Sequence, residues 1–357
     1  MIRIKARPTT ARGAVLPTMW GAVAVAYKFG CPLAQQNGLG ARIVTSAVFF
    51  AVGTGLVVHV RRSLLRELRL ARRAARVAQS VVLRPPPPRL DGLSVAAAQL
   101  SADRGASVGG DLYEAIATEH GVRVVMGDVR GHGLAALGTV AAVLGSFREA
   151  AHDEPALDLV MRRLERALGR HLRERARAEH PAAGGPDPDR PVAEEFVTLV
   201  LLEIGRDGEL RALNCGHPWP YLLSGTSVEP LTRADPLPPL GPFPLPPDLR
   251  ARPCGRLLPD ESLVLFTDGA EDARDARGRF FALPEVLRKA VRDHPLSAQL
   301  VLRKVFTALL HHTAGRPADD VALLVLRNDR GGARLSCLGA RGSARPAATD
   351  PQPTTRP

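Results

Sequence analysis

The chain is 357 residues long, with 48 Lys+Arg against 36 Asp+Glu, 45% hydrophobic residues and only 4% aromatic. That length accommodates a full catalytic domain with appendages, and the composition excludes a collagen or a wholly disordered protein, although 33 Gly and 31 Pro point to long irregular loops. The net charge of +12 is uneven: residues 1–90 hold fifteen basic residues and one acid, Glu67, whereas the rest holds 33 basic and 35 acidic, which argues against a nucleic-acid-binding domain and for a basic segment at a membrane.

Two apolar stretches come first. Residues 43–60 (IVTSAVFFAVGTGLVVHV) carry no formal charge and are closed by Arg61 and Arg62, the minimum length for a membrane span. Residues 14–29 are weaker, because Pro17 and Lys28 interrupt them. Basic residues before the first stretch and after the second put both ends in the cytoplasm by the positive-inside rule, as a two-span hairpin, with a single span as the alternative.

Residues 61–83 have helix-forming composition. Leu64, Leu68, Ala71, Ala75, Ala78 and Val82 recur at heptad spacing, an Ala-rich seam through which two copies could pair. The same Arg-rich stretch also reads as a single amphipathic helix on anionic lipid. Pro85–Pro88 ends it with a stiff spacer.

From residue 91 to about 327 the pattern is mixed. Short β-like runs at 122–129, 195–204, 209–216 and 262–269 alternate with turn signals such as Arg206-Asp207-Gly208. Helical patterns occupy roughly 133–151, 155–178, 284–293 and 297–313. Hairpin-paired strands with helices gathered in separate blocks predict an α+β fold with antiparallel sheets. Residues 181–191 read as a loop insertion, 236–247 as Pro-dense and irregular, and 328–357 as a disordered tail. The expected boundaries are therefore 1–60 membrane region, 61–90 linker, 91–327 catalytic domain and 328–357 tail. Cys31, Cys215, Cys254 and Cys337 form no C-x2-C pair, so neither a zinc framework nor a disulfide lattice is indicated. None has an Arg six residues on, so the phosphate loop of a Cys-dependent phosphatase is missing.

Aspartates stand at the ends of apolar strands or beside glycines: Asp111 after Gly109-Gly110, Asp128 after Gly127, Asp268 before Gly269, and the pair Asp319-Asp320 before Val321. Taken singly, each Asp-Gly reads as a turn. Together, carboxylates from distant segments at the ends of buried strands need neutralisation, and oxygen-only ligands favour Mg or Mn.

GGDLYEA, GDVRGHGLAAL, FVTLVLLEI, NCGHPWPYLL, LFTDGAEDARDARGRFF and DDVALLVL follow one another in that order. The chain resembles the PPM-type (PP2C-like) serine/threonine phosphatases of the bacterial stage II sporulation E and RsbU branch, over about residues 91–327, and GSFREAAHDEP and EEFVTLVLLEI are similar to membrane-attached actinobacterial members. The resemblance implies an αββα sandwich whose two antiparallel sheets hold two divalent ions, Mn or Mg, at one edge. Carried over by motif, Asp128 would bridge both metals, the Val129 carbonyl would bind one, and Asp111, Asp268 and Asp319 would complete the set, with Asp320 the lesser member of its pair. His132 would be a general acid or merely a helix-start residue. Arg130 would pair with substrate phosphate or offset neighbouring carboxylates. His217 is expected to shape a turn, and Glu271 and Asp272 to be solvated or to support the ligands.

The function implied is a membrane-tethered, metal-dependent phosphatase with its catalytic domain in the cytoplasm, acting on a phosphorylated STAS-type anti-anti-sigma protein in partner switching. A signalling scaffold without turnover is the alternative, although a scaffold need not retain the aspartates. An ATP-binding kinase-like domain is a third reading, but no Walker-type Gly-Lys-Ser/Thr loop is present.

Overall fold

The computed structural model describes residues 39–100, 109–131, 133–179, 195–292 and 297–331. The apolar stretch at 14–29, His132, the 181–191 insertion and the tail beyond 331 lie outside the described residues. The chain divides into two compact units, one ending at Ala74 and one beginning at Ala75.

The first helix, α1 (Leu39–Val82), is continuous for 44 residues. The apolar stretch at 43–60 and the Arg-rich segment after it are therefore one helix, with no Pro to break it. Within α1, Ala47–Glu67 is long and apolar enough to cross a membrane, and none of it is buried. Val48, Phe50, Val52 and Val57 stand exposed along it. The seam side chains Leu68, Ala71, Ala75 and Ala78 lie outside the described residues.

The second unit is a four-layer sandwich. Its strands are β1 (Arg89–Leu90), β2 (Leu93–Leu100), β3 (Asp111–Thr118), β4 (Gly121–Val129), β5 (Val197–Ile204), β6 (Glu209–Cys215), β7 (Tyr221–Ser224), β8 (Ser227–Pro230), β9 (Arg252–Arg256), β10 (Ser262–Phe266) and β11 (Val321–Asn328). Helices α2 (Leu134–Asp153), α3 (Leu157–Glu179), α4 (Leu283–Arg292) and α5 (Ala298–His312) complete it. One sheet runs β1-β2-β11-β10-β7-β8 and the other β3-β4-β5-β6-β9. Neighbouring strands are antiparallel throughout, as the sequence predicts.

Alternation along each strand builds three apolar layers. Val124 and Met126 of β4, Val200 and Leu202 of β5, Leu263 and Leu265 of β10, and Leu324 and Leu326 of β11 pack between the sheets. The odd partners Val125, Leu199 and Leu201 face α2 and α3, and Val264, Leu323 and Val325 face α4 and α5. Because both faces are covered, β4, β10 and β11 read as nearly continuous apolar runs, interrupted inside the core only by Arg123 of β4.

Arg123, fully buried on β4, pairs with Glu203 of β5 at 2.7 Å and donates to the carbonyls of Ala151, Glu154 and Pro155. A single guanidinium thus satisfies the carbonyl end of α2 and pins it to the sheet. Arg148 of α2 joins Glu114 of β3 at 2.9 Å and donates to the carbonyl of Val82, beside the buried Leu83.

Candidate metal centre

Strand register sets the first two carboxylates side by side. Asp111 opens β3 and is the antiparallel partner of Asp128, near the end of β4. Asp111 shares parity with Tyr113, and Asp128 with Met126, so both emerge at the end of the layer between the sheets. The approach is close because two glycines precede Asp111. A Cβ on Gly110 would collide with the Val129 carbonyl and come within 2.7 Å of Asp128 Oδ1, and one on Gly109 would collide with the Asp320 carboxylate. Only glycine allows this backbone to thread between the acids.

The other sheet supplies the opposite wall. Asp268 follows β10 and opens a short 3-10 turn, Asp268–Ala270. Asp319 and Asp320 immediately precede β11, and a Cβ on Gly269 would strike the Asp320 carbonyl. Thr267, fully buried between these segments, accepts from the Ala322 amide at 2.9 Å.

Electrostatically the acids strain against one another. Asp111 is 1% exposed, and its carboxyl is held well above the usual range, first by burial and then by the charges of Asp128, Asp320 and Asp268. Burial, followed by the charges of Asp268, Asp319 and Asp320, pushes Asp128 up to about 7. Asp268 is raised by burial and by Asp319. Mutual destabilisation of this kind is what a cation relieves. The buried Asp111 Oδ2 has no hydrogen-bond partner among the described residues. The donor set is all oxygen, which fits Mg or Mn. Among the described residues no three such side chains stand in a ready-made cage.

Arg130 lies just past Val129 at the rim, exposed, with its guanidinium 5.3 Å from the centre of the Phe196 ring. The Val129 amide donates to the Gly110 carbonyl at 3.1 Å. Glu271 is half-buried and accepts from the Tyr221 hydroxyl at 2.9 Å, whereas Asp272 is exposed. Cys215 is buried against Met161, which pushes its thiol up to about 12 and leaves it inert as a nucleophile.

Two residues at this end escaped the sequence reading, Thr198 and Thr267. Each is a polar residue set against an apolar strand run, in FVTLVLLEI and SLVLFTDG, and that anomaly was the available signal. Thr198 is the register partner of Asp128. His217 does close a turn, since its amide donates to Asn214 Oδ1 at 2.8 Å and its carbonyl accepts from Asn214 Nδ2 at 2.7 Å. Its ring also contacts the Thr198 hydroxyl and the Phe266 carbonyl.

The model of the stage II sporulation protein E (SpoIIE) family matches residues 118–329. Among solved structures, the RsbU and RsbW domains of a Mycobacterium tuberculosis protein align with a TM-score of 0.52 at 21% identity, covering 69% of this chain and 62% of that one. This chain thus spans less than two thirds of that relative. The SiaA PP2C domain of Pseudomonas aeruginosa aligns at 0.50 and 17% identity, covering 75% and 98%. The PP2C domain of SpoIIE from Bacillus subtilis, with a fragment of its regulatory domain, aligns at 0.47 and 14%, covering 66% and 62%. At these identities the likeness speaks for the fold. No curated protein matches the chain by sequence. With a family match across most of the sandwich, the chain belongs to the SpoIIE family of PP2C-like phosphatase domains.

Proposed function

We propose that this protein is a membrane-tethered, metal-dependent phosphatase that hydrolyses phosphoserine or phosphothreonine on a signalling protein. The observation that carries the reading is the convergence of Asp111, Asp128, Asp268, Asp319 and Asp320 from both sheets, with the buried Asp111 Oδ2 unpartnered. Asp128 would be shared between two divalent ions, with the Val129 carbonyl, Asp111, Asp268 and Asp319 as the remaining ligands and Asp320 beside Gly109 in support. Divalent metal, when bound, supplies Lewis acidity and makes water nucleophilic near neutral pH.

The chain's own residues do the rest. The aspartates fix where the cations sit, and the glycine pair keeps that wall thin. Arg130 at the rim orients the phosphate dianion, with Phe196 holding its guanidinium in place. No side-chain nucleophile is required. His132, two residues after Arg130 in sequence, is the candidate proton donor to the leaving alcohol oxygen.

By the resemblance to the RsbU branch, the substrate class is a phosphorylated STAS-type anti-anti-sigma protein. The exposed apolar stretch of α1 and the arginines after it support anchorage in the cell membrane with the sandwich in the cytoplasm. Domain limits of 1–60, 61–90, 91–327 and 328–357 remain our proposal, as does pairing of two copies through 61–83. The test is phosphate release from a panel of phosphorylated STAS-domain proteins with Mn, Mg or chelator present. Metal-dependent release on that panel is expected, and none under any metal would favour a scaffold without turnover.

A further inference from the structure

The middle of the inter-sheet layer is held by apolar contact, but at the acidic end that contact gives way to carboxylates that repel. Something other than hydrophobic packing must set the spacing of the two sheet edges there. His217 lies where the chain crosses from β6 in one sheet to β7 in the other, and it is 4% exposed. Its Nε2 is 3.1 Å from the Phe266 carbonyl, two residues before Asp268. Its Nδ1 is 3.2 Å from Thr198 Oγ1, on the residue paired with Asp128. A carbonyl can only accept, so Nε2 carries the proton and Nδ1 accepts from the Thr198 hydroxyl. Asn214 holds the backbone of the same residue through two hydrogen bonds. The imidazole is thus fixed at both ring nitrogens and at its main chain.

We propose that His217 is a positioning residue for the metal centre, a cross-sheet strut that sets the separation between the Asp111–Asp128 edge and the Asp268 edge. The proposal rests on the metal-dependent reading above. A histidine suits this role because its two ring nitrogens, on opposite edges of a rigid plane, can accept from one sheet and donate to the other. Residues that orient metal ligands at one remove are worth about 10- to 100-fold in metal affinity.

The experiment uses the full chain in detergent, titrated with Mn2+ alone and followed by thermal melting. His217→Ala removes the strut, and Thr198→Val removes only its hydroxyl partner, which guards against a histidine variant that fails to fold. Leu326→Ala, in the inter-sheet core, destabilises the sandwich without touching the strut. Both strut variants should bind Mn2+ about tenfold more weakly, while Leu326→Ala melts lower yet binds as the wild type does. Phosphate release should fall in kcat with KM little changed. Wild-type Mn2+ affinity in His217→Ala and Thr198→Val would overturn the strut, as would an equal loss of affinity in Leu326→Ala. A wild-type chain that ignores Mn2+ would instead remove the metal reading itself, and that failure is visible before any variant is made.

Discussion

The two ends of the same inter-sheet layer obey opposite rules. In its middle, Val124, Met126, Val200, Leu265 and Leu324 are all but fully buried and contribute by leaving water. At the end of the same layer Asp111 is buried and Asp128 half-buried, but both bring charge, and their carboxyls are pushed upward by burial and by neighbouring carboxylates. The middle stabilises the fold, and the acidic end stores electrostatic strain that the middle must hold. This division is what a scaffold with a functional site at its edge requires.

The largest effect expected from breaking this contrast is on rate. Asp128→Asn keeps the shape but removes a charge-sharing bridge, and phosphate release should fall on the order of a thousand-fold, about 4 kcal/mol of transition-state stabilisation. Its metal-free melting temperature should not fall, because one repelling charge is gone. The mirror experiment is Leu265→Ala in the middle, which should cost about 3 kcal/mol of stability and leave rate per folded molecule intact. Chemical denaturation and steady-state kinetics on the same preparations read both.

A third test sharpens the comparison through pH. The Asp128 carboxyl is raised to about 7 in the folded chain against an ordinary 3.8, so the folded state holds its proton more tightly than the unfolded state. Its charge therefore destabilises the metal-free fold above pH 7, and the cost disappears as pH falls toward 4. Metal-free Asp128→Asn should exceed wild type by about 2 kcal/mol at pH 8, less than the full shift implies because the acids share the strain. The gap should close near pH 4. A gap that is constant across this range would mean that Asp128 is not strained. The smallest effect belongs to the rim: Arg130→Ala should raise KM by roughly five- to tenfold, about 1 kcal/mol, with melting unchanged.

Much of this contrast was readable before any coordinates. Apolar runs ending in Asp marked β4 and β10, and the glycine pair before Asp111 marked a close approach. Register was not readable: that Asp111 lies opposite Asp128 depends on how β3 and β4 pair, and DLYEAIAT alternates too weakly to announce a strand. LSVAAAQL, which forms β2, is Ala-rich and carries little strand signal, while β9 contains both Pro and Gly. The apolar stretch at 43–60 was plain, yet its continuity with the Arg-rich segment was not, because the change in composition at Arg61 looks like a boundary and the backbone does not treat it as one. His217 read as a turn residue since its sequence neighbours are Gly216 and Pro218. Its second role depends on two strands 19 and 49 residues away, and no local pattern encodes that.

The central claim is that the acidic end is built to receive divalent cations. Thermal melting of the full-length chain at pH 7.5, with and without Mn2+, tests it most directly. At about a hundredfold excess over Kd, binding to the folded state alone contributes about 2.7 kcal/mol, or roughly 5 to 10 °C for a domain of this size. We predict that rise for the wild type, its loss in Asp128→Asn, and its reversal by chelator. An unchanged melting temperature in the wild type across the titration would contradict the account.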